Sequence, residues 1–157
     1  IIGGILDFET DDERIIRAIE IAEADGMKIR FIEEEAVPDH PNTAKIRMGD
    51  DDGEMEMVGI SIGGGKIEII ELNGFVLKLS GQHPAILVEH TDKFGAIANV
   101  ATVLAKHEIN IGHMEVSRKE MGQRALMTIE VDQNIEDSIL DEIGKLPSIL
   151  GVTKIVD

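Results

Sequence analysis

His90, Asp92 and Asn110 in the second half of the chain carry the groups that a small zwitterion needs. Asp92, or the amide oxygen of Asn110, can accept from an ammonium, and backbone N–H groups at the start of a helix can hold a carboxylate. A second set of hydrogen-bonding groups lies upstream: His40, Asn42, Thr43 and Ser61, set among Pro38, Pro41 and the run Gly63, Gly64 and Gly65. Either set works only if turns bring it together. The loop between Thr91 and Gly95, with Asn110 opening the second strand beside it, is expected to gather His90, Asp92 and Asn110 at one end of a β-α-β-β unit.

The elements that would position them follow from periodicity. Residues 84–90 are an apolar run, residues 95–107 put Ile97, Val100, Ala101 and Leu104 on one helical stripe, and residues 109–117 alternate. Met121-Gly122 breaks the chain and residues 124–131 alternate again. Residues 136–144 repeat a helical stripe through Ile139, Leu140 and Ile143, and residues 149–156 close as a strand. This βαββαβ order, with right-handed crossovers, gives a four-stranded antiparallel sheet with both helices on one face, the ferredoxin-like arrangement.

Upstream, Thr10-Asp11-Asp12-Glu13 is a capping-box pattern that leads into Ile15, Ile16, Ile19 and Ala22 at helical spacing, with Gly26 as the residue beyond the C-cap. Residues 27–31 read as a strand. Residues 43–48 and 54–62 flank an acidic Asp50-Asp51-Asp52-Gly53 turn as a hairpin, and residues 66–71 and 75–79 flank Asn73-Gly74 as another. The chain is therefore expected to be α+β, with a mixed domain over residues 1–80, a linker at 79–84 and the ferredoxin-like unit over 84–157.

Several features carry simpler chemistry than they suggest. Gly63-Gly64-Gly65-Lys66 fails as a phosphate loop, because Ile60 stands where the first glycine is needed and Ile67 where the hydroxyl is needed. Glycines there permit positive φ at a strand break, or let the backbone approach a ligand or another chain closely. His40, between Asp39 and Pro41, reads either as a solvated turn residue or, with Asn42, Thr43 and Ser61, as part of a polar patch. His83, His107 and His113 lack the spacing of a metal triad, so no metal site is expected. Met55, Met57, Met114 and Met127 fit strand cores or interfaces, and the acidic turn lacks the alternating ligands and closing Glu of a calcium loop.

Composition narrows the partners. At 157 residues and 43% apolar content the chain buries an ordinary core of one or two small domains. A net charge of −16 repels nucleic-acid phosphates and anionic membrane surfaces over a screening length of about 8 Å, and four Phe with no Trp or Tyr leave few stacking platforms. No apolar run reaches the roughly 18 residues that span a bilayer, and the chain reads as cytoplasmic.

The stretch His90-Thr91-Asp92-Lys93-Phe94-Gly95, followed by Ile109-Asn110-Ile111, Met114, Arg118 and Gln123-Arg124-Ala125-Leu126-Met127, resembles an ACT domain, a regulatory amino-acid-binding module. In the ACT domains of serine-regulated phosphoglycerate dehydrogenases the effector sits where two domains pair, held by a His, an Asn two residues later and an Asn opening the second strand. The resemblance implies effector-binding roles for His90, Asp92, Gly95 and Asn110. Asp92 stands where the middle Asn would be and Phe94 where Pro usually precedes the Gly. A carboxylate at that place repels the carboxylate of serine.

Ala36-Val37-Pro38-Asp39-His40-Pro41-Asn42-Thr43, Ser61-Ile62-Gly63-Gly64-Gly65-Lys66-Ile67-Glu68-Ile69 and Leu72-Asn73-Gly74-Phe75 resemble the β chain of the two-chain, iron-sulfur-dependent bacterial L-serine dehydratase. That resemblance implies a substrate-binding-like domain upstream of the ACT domain, and an enzyme that converts L-serine to pyruvate and ammonia. It also implies a [4Fe-4S] cluster on a partner α chain, since these 157 residues contain no cysteine to supply thiolate ligands. The polar patch would then face the catalytic chain, and self-association through the ACT domains is expected. Ile1-Ile2-Gly3-Gly4 opens inside what reads as a strand, without an initiator Met and without the family's upstream Ser- and His-rich motif, so N-terminal truncation is expected. A serine-sensing fragment of a phosphoglycerate dehydrogenase is the alternative, although no nucleotide-binding glycine fingerprint lies upstream. A free-standing ACT-type binding protein is a third reading.

Overall fold

A computed structural model describes residues 1–35, 37–51 and 53–155. Ala36 of the upstream motif, Asp52 of the acidic turn and Val156 of the expected last strand lie outside the described residues. The chain divides into two compact units, Ile1–Val37 and Pro38–Asp157. The residues expected to link the domains, 79–84, fall inside the second unit.

The first unit is helical among its described residues. Ile2–Ile5 forms α1, a single turn, where a strand was expected. A 3₁₀ helix, Glu13–Arg17, runs into α2, Ala18–Ala24. The cap is Asp12 rather than Thr10: its carboxylate accepts from the Arg14 N–H at 2.8 Å and from the Arg14 guanidinium. Those bonds hold the Asp12 carboxyl down at about 2. Ala18 and Ala22 are buried while Ile16 is 89% exposed, so the inward stripe is made of small residues rather than the isoleucines. At the C-terminus Gly26, at φ +90°, donates to Glu23 O (3.0 Å) and Met27 donates to Ala22 O (2.9 Å), the paired closure that a left-handed glycine allows. Residues 27–31 carry no strand, because no neighbouring strand pairs with them.

The second unit holds two four-stranded sheets. The first is a meander, ordered β1-β2-β3-β4: β1 Thr43–Gly49, β2 Glu54–Gly63, β3 Lys66–Leu72 and β4 Phe75–Leu79. Both expected hairpins form. Asn73 (φ 48°) and Gly74 (φ 77°) make the tight β3–β4 turn, and a Cβ on Gly74 would come within 2.8 Å of Lys119 Nζ. The Asn73 side chain accepts from the Glu56 N–H at 2.9 Å, which ties the turn to β2.

The second sheet, ordered β6-β7-β5-β8, is built from β5 Ala85–Thr91, β6 Ile111–Arg118, β7 Arg124–Val131 and β8 Ile149–Ile155. Helices α3 (Ala96–Lys106) and α4 (Asp137–Gly144) complete the ferredoxin-like order. Both cover one face, where Ile86, Val88, Met127, Ile129 and Val131 meet Ala96, Val100, Val103, Leu104, Ile139 and Ile143. The α3 stripe is turned by about one residue from the expected one. Ala96 and Val103 are buried and Ile97 is 45% exposed, because the helix starts at Ala96 and the smallest side chain lies against the sheet.

The opposite face of this sheet packs on the first. Phe75, Leu77 and Leu79 of β4 form a core with Ala85, Leu87 and Leu126. Polar ties reinforce it: Glu115 accepts from the Lys78 N–H at 3.0 Å, and Glu130 accepts from both the N–H (3.0 Å) and the hydroxyl (2.8 Å) of Ser80.

Between the two helices, Glu142 accepts from Lys106 Nζ and lies against His107 Nε2, both at 2.7 Å. The Lys106 hydrogen bond, then that of His107, holds the Glu142 carboxyl below its usual 4.5. A carboxyl lowered in the folded state adds stability that is complete above the unfolded value and is lost as pH falls through the folded one. Denaturation midpoints at pH 7 and pH 3 are expected to differ less in Glu142→Gln than in the native chain. An equal acid-side loss in both would contradict the assignment.

Candidate functional site

The first set of polar residues gathers at one end of the first sheet. Pairing of Thr43 with Ile60 brings the start of β1 beside the end of β2, and Ser61 N–H donates to Asn42 O at 2.9 Å. The segment before β1 closes on itself, with the Asn42 N–H donating to His40 Nδ1 at 3.2 Å and the Thr43 hydroxyl donating to the His40 carbonyl. Gly63 pairs with Lys66, so Gly64 and Gly65 form the β2–β3 turn at the same end. All three glycines have positive φ, from 62° to 90°, and a Cβ on any of them would meet nothing within 4 Å. Their backbone conformation, not crowding within the chain, is what requires glycine there. His40, Asn42, Thr43, Ser61 and the glycine turn are therefore neighbours on an exposed rim.

The second set divides. Strands β5 and β6 are joined through a helix and run parallel, both antiparallel to β7 between them. His90 and Arg118 are both registered on Ala125, whereas Ile111 is registered on Val131. Asn110, which opens β6, thus lies at the Ala85 end of the sheet, about 20 Å from His90 along the strands. The expectation that His90, Asp92 and Asn110 share one end of a single chain is overturned, because a helical crossover returns the next strand to the starting end of the first. Asn110 instead donates to Asp132.

His90 is 1% exposed, under the helices. Its Nδ1 lies 2.9 Å from the Thr91 carbonyl, which only accepts, so a neutral ring carries its lone pair at Nε2. Nε2 is buried without a hydrogen-bond partner. Asp92 follows in the loop to α3, where Oδ2 accepts from Arg118 Nη1 at 3.1 Å and from the Gly122 N–H at 3.0 Å. The Gly122 hydrogen bond, then that of Arg118, lowers its carboxyl below the usual range. Gly95, at φ 84°, is the left-handed cap of α3, which Ala96 opens. The partnership of Asp92 with Arg118 and Gly122 has no signal in sequence spacing, because 26 and 30 residues separate them. Only the β5–β7–β6 register brings them together.

A cleft of about 550 Å³ opens between the β3–β4 turn and the outer face of the second sheet, lined by Phe75, Leu87 and Leu126 with Glu89, Arg124 and Lys119. Its basic groups are engaged within the chain: Arg124 pairs with Glu89 at 2.9 Å, and Lys119 donates to Asn73 O at 2.7 Å while lying over the Phe75 ring. Among the described residues no group of three or more His, Cys, Asp or Glu is placed to hold a metal, and no helix is long and apolar enough to cross a membrane.

Comparison with known proteins agrees with this architecture. A family model for the ACT domain matches residues 85–148. The chain is 71% identical over all 157 residues to a protein of Bacillus subtilis (strain 168) named as a probable L-serine dehydratase, beta chain, and spans 71% of it. It is 32% identical over 145 residues to the L-serine dehydratase beta chain of Peptoniphilus asaccharolyticus, which covers 91% of this chain and 65% of that protein. A D-3-phosphoglycerate dehydrogenase of Bacillus subtilis (strain 168) is 36% identical over 89 residues, covering 57% of this chain and 17% of that enzyme. With identity that high along its whole length, the chain belongs to the family of L-serine dehydratase beta chains and carries an ACT domain.

Proposed function

We propose that this chain is the β subunit of a cytoplasmic L-serine ammonia-lyase that converts L-serine to pyruvate and ammonia together with a partner α chain. The observation that carries this reading is the 71% identity to a probable serine dehydratase beta chain over every residue of the chain. A [4Fe-4S] cluster does not fit the side chains present here, which include no cysteine, so the cluster belongs to the partner and the elimination itself is not assigned to these residues. Their part is docking and substrate positioning. His40, Asn42, Thr43 and Ser61 offer hydrogen-bonding groups on one rim, and the glycine turn lets another chain approach the backbone closely. That rim abuts the α chain and helps to hold the substrate carboxylate.

In the reconstituted two-chain enzyme, His40→Ala and Ser61→Ala are expected to lower turnover at least about tenfold, since small misplacements of a substrate cost on that scale. Their denaturation midpoints should stay near the native one. Unchanged turnover in both variants would exclude the rim from the active assembly.

The ACT domain is the regulatory part in this reading. His90, Asp92 and Gly95 from one copy and Asn110 from a second form an amino-acid site when two domains pair, which reconciles their separation within one chain with a single site. The unpartnered His90 Nε2 supports the reading, because a buried polar atom left alone costs about 1–3 kcal/mol.

A further inference from the structure

The turn between β6 and β7, residues 119–123, is bonded on one side to the loop that opens α3 and on the other to the first sheet. We propose that Lys119 couples the Asp92 loop of the ACT domain to the first sheet, by seating on the β3–β4 turn when that loop holds the β6–β7 turn in place. The coupling is a property of the chain without ligand. Its use in regulation rests on the reading that the ACT domain binds an amino acid.

The link begins at Asp92. Its carboxylate accepts from the Gly122 N–H at 3.0 Å and from Arg118 Nη1 at 3.1 Å, and its own N–H donates to Gln123 O at 2.6 Å. Three bonds therefore fix the turn against the loop. From the turn, Lys119 crosses to the first sheet: Nζ donates to Asn73 O at 2.7 Å and lies 4.8 Å from the centre of the Phe75 ring, whose face attracts a cation. Asn73 in turn is bonded to β2 twice, accepting through its side chain from the Glu56 N–H at 2.9 Å and donating its own N–H to Glu56 O at 2.7 Å. The Glu56 carboxylate then accepts from Lys45 at 2.9 Å and from Arg47 at 2.5 Å, both in β1. Consecutive bonds thus run from Asp92 to the two strands that carry Thr43 and Ser61 on the rim.

The other polar ties between the sheets start from Glu115 and Glu130, within β6 and β7, and do not involve the turn. Among the described residues, Lys119 is the turn residue that hydrogen-bonds to the first sheet. Gly74 keeps its seat open, since a Cβ there would come within 2.8 Å of Nζ. The Lys119 side chain is exposed, so the seated state competes with a released one in which water solvates the ammonium. The link therefore has two states, and the position of the turn biases them.

Amide hydrogen exchange by NMR on the full chain tests the coupling, with Glu56 as the reporter, Gly122 as the mark of a loosened turn and Met127 in β7 as the measure of global opening. Asp92 makes no hydrogen bond to the first sheet, yet in Asp92→Ala exchange at both Gly122 and Glu56 should rise about fivefold beyond any change at Met127, the scale of one hydrogen bond. Lys119→Met, which keeps an apolar stem over Phe75 and removes the donor, should raise Glu56 exchange by a similar factor, and adding Asp92→Ala to it should then raise Gly122 alone. Lys119→Arg should restore the response of Glu56 to Asp92→Ala. Asp92→Ser, too short to reach both donors, serves if the alanine variant does not fold. Glu56 at its native rate while Gly122 exchanges faster would overturn the coupling, as would equal responses with and without Lys119. No binding of L-serine to the native chain would overturn the effector site and leave the coupling standing.

Discussion

Replacing Leu77 by Ala is expected to lower the stability of the two-sheet unit by about 3 kcal/mol, within the range measured for leucine-to-alanine changes in packed cores. Leu77 is 1% exposed in β4 and sits in the core that β4 forms with Ala85, Leu87 and Leu126 of the second sheet. Truncation removes buried apolar surface and leaves a void between two sheets whose backbones are fixed by their own hydrogen bonds, so the site collapses poorly. Against a total stability of about 5–15 kcal/mol for a domain of ordinary size, that is a large fraction. Because the two sheets share this core, urea should unfold them in one transition at a lower midpoint, with its slope unchanged. Val76, the next residue and 66% exposed, supplies the control: Val76→Ala should shift stability by no more than about 0.5 kcal/mol. Equal effects at the two positions would contradict the sheet-on-sheet packing.

Replacing His90 by Leu should have the opposite effect on stability and a large one on regulation. The native ring makes one hydrogen bond, to the Thr91 carbonyl, and buries Nε2 without a partner. Losing the bond costs about 1 kcal/mol, while removing the unmatched nitrogen recovers about 1–3 kcal/mol, so the variant should be slightly more stable without ligand. The gain from serine should vanish with the imidazole. A ligand at 100 times its Kd stabilises by about 2.7 kcal/mol, so adding L-serine should raise the native midpoint and leave that of His90→Leu unmoved. A preserved serine-dependent rise in the variant would remove His90 from the effector site. Greater stability without ligand is the mark of a group retained for binding rather than for folding.

The parts of the fold that short-range chemistry dictates were legible in the sequence. Asn73-Gly74 fixed a tight turn because both residues tolerate positive φ, and the run at residues 124–131 matches the extent of β7, although residues 125–129 are all buried because helices cover one face and the first sheet the other. The face of α3 was harder, since Ala96 and Ile97 both begin an acceptable helical stripe and only packing against the sheet chooses the smaller one. Residues 27–31 look like a strand but have no strand to pair with, and pairing is not local information. The upstream polar rim was suggested by hydrogen-bonding groups clustered beside Pro and Gly, and its spatial closeness comes from the β1–β2 register, which pairs Thr43 with Ile60 next to Ser61. At the ACT end, turns alone suggested that His90 and Asn110 meet, and the parallel run of β5 and β6 separates them. Arg118 gained its place beside Asp92 through the same register, at a sequence distance where spacing is silent.

The most direct test of the account is the formation of pyruvate from L-serine by a cluster-bearing α chain, purified without oxygen and assayed with and without this subunit. A stable complex and turnover that requires both chains are expected. Full turnover by the α chain alone, or an intact cluster with no complex and no gain on adding this chain, would contradict it.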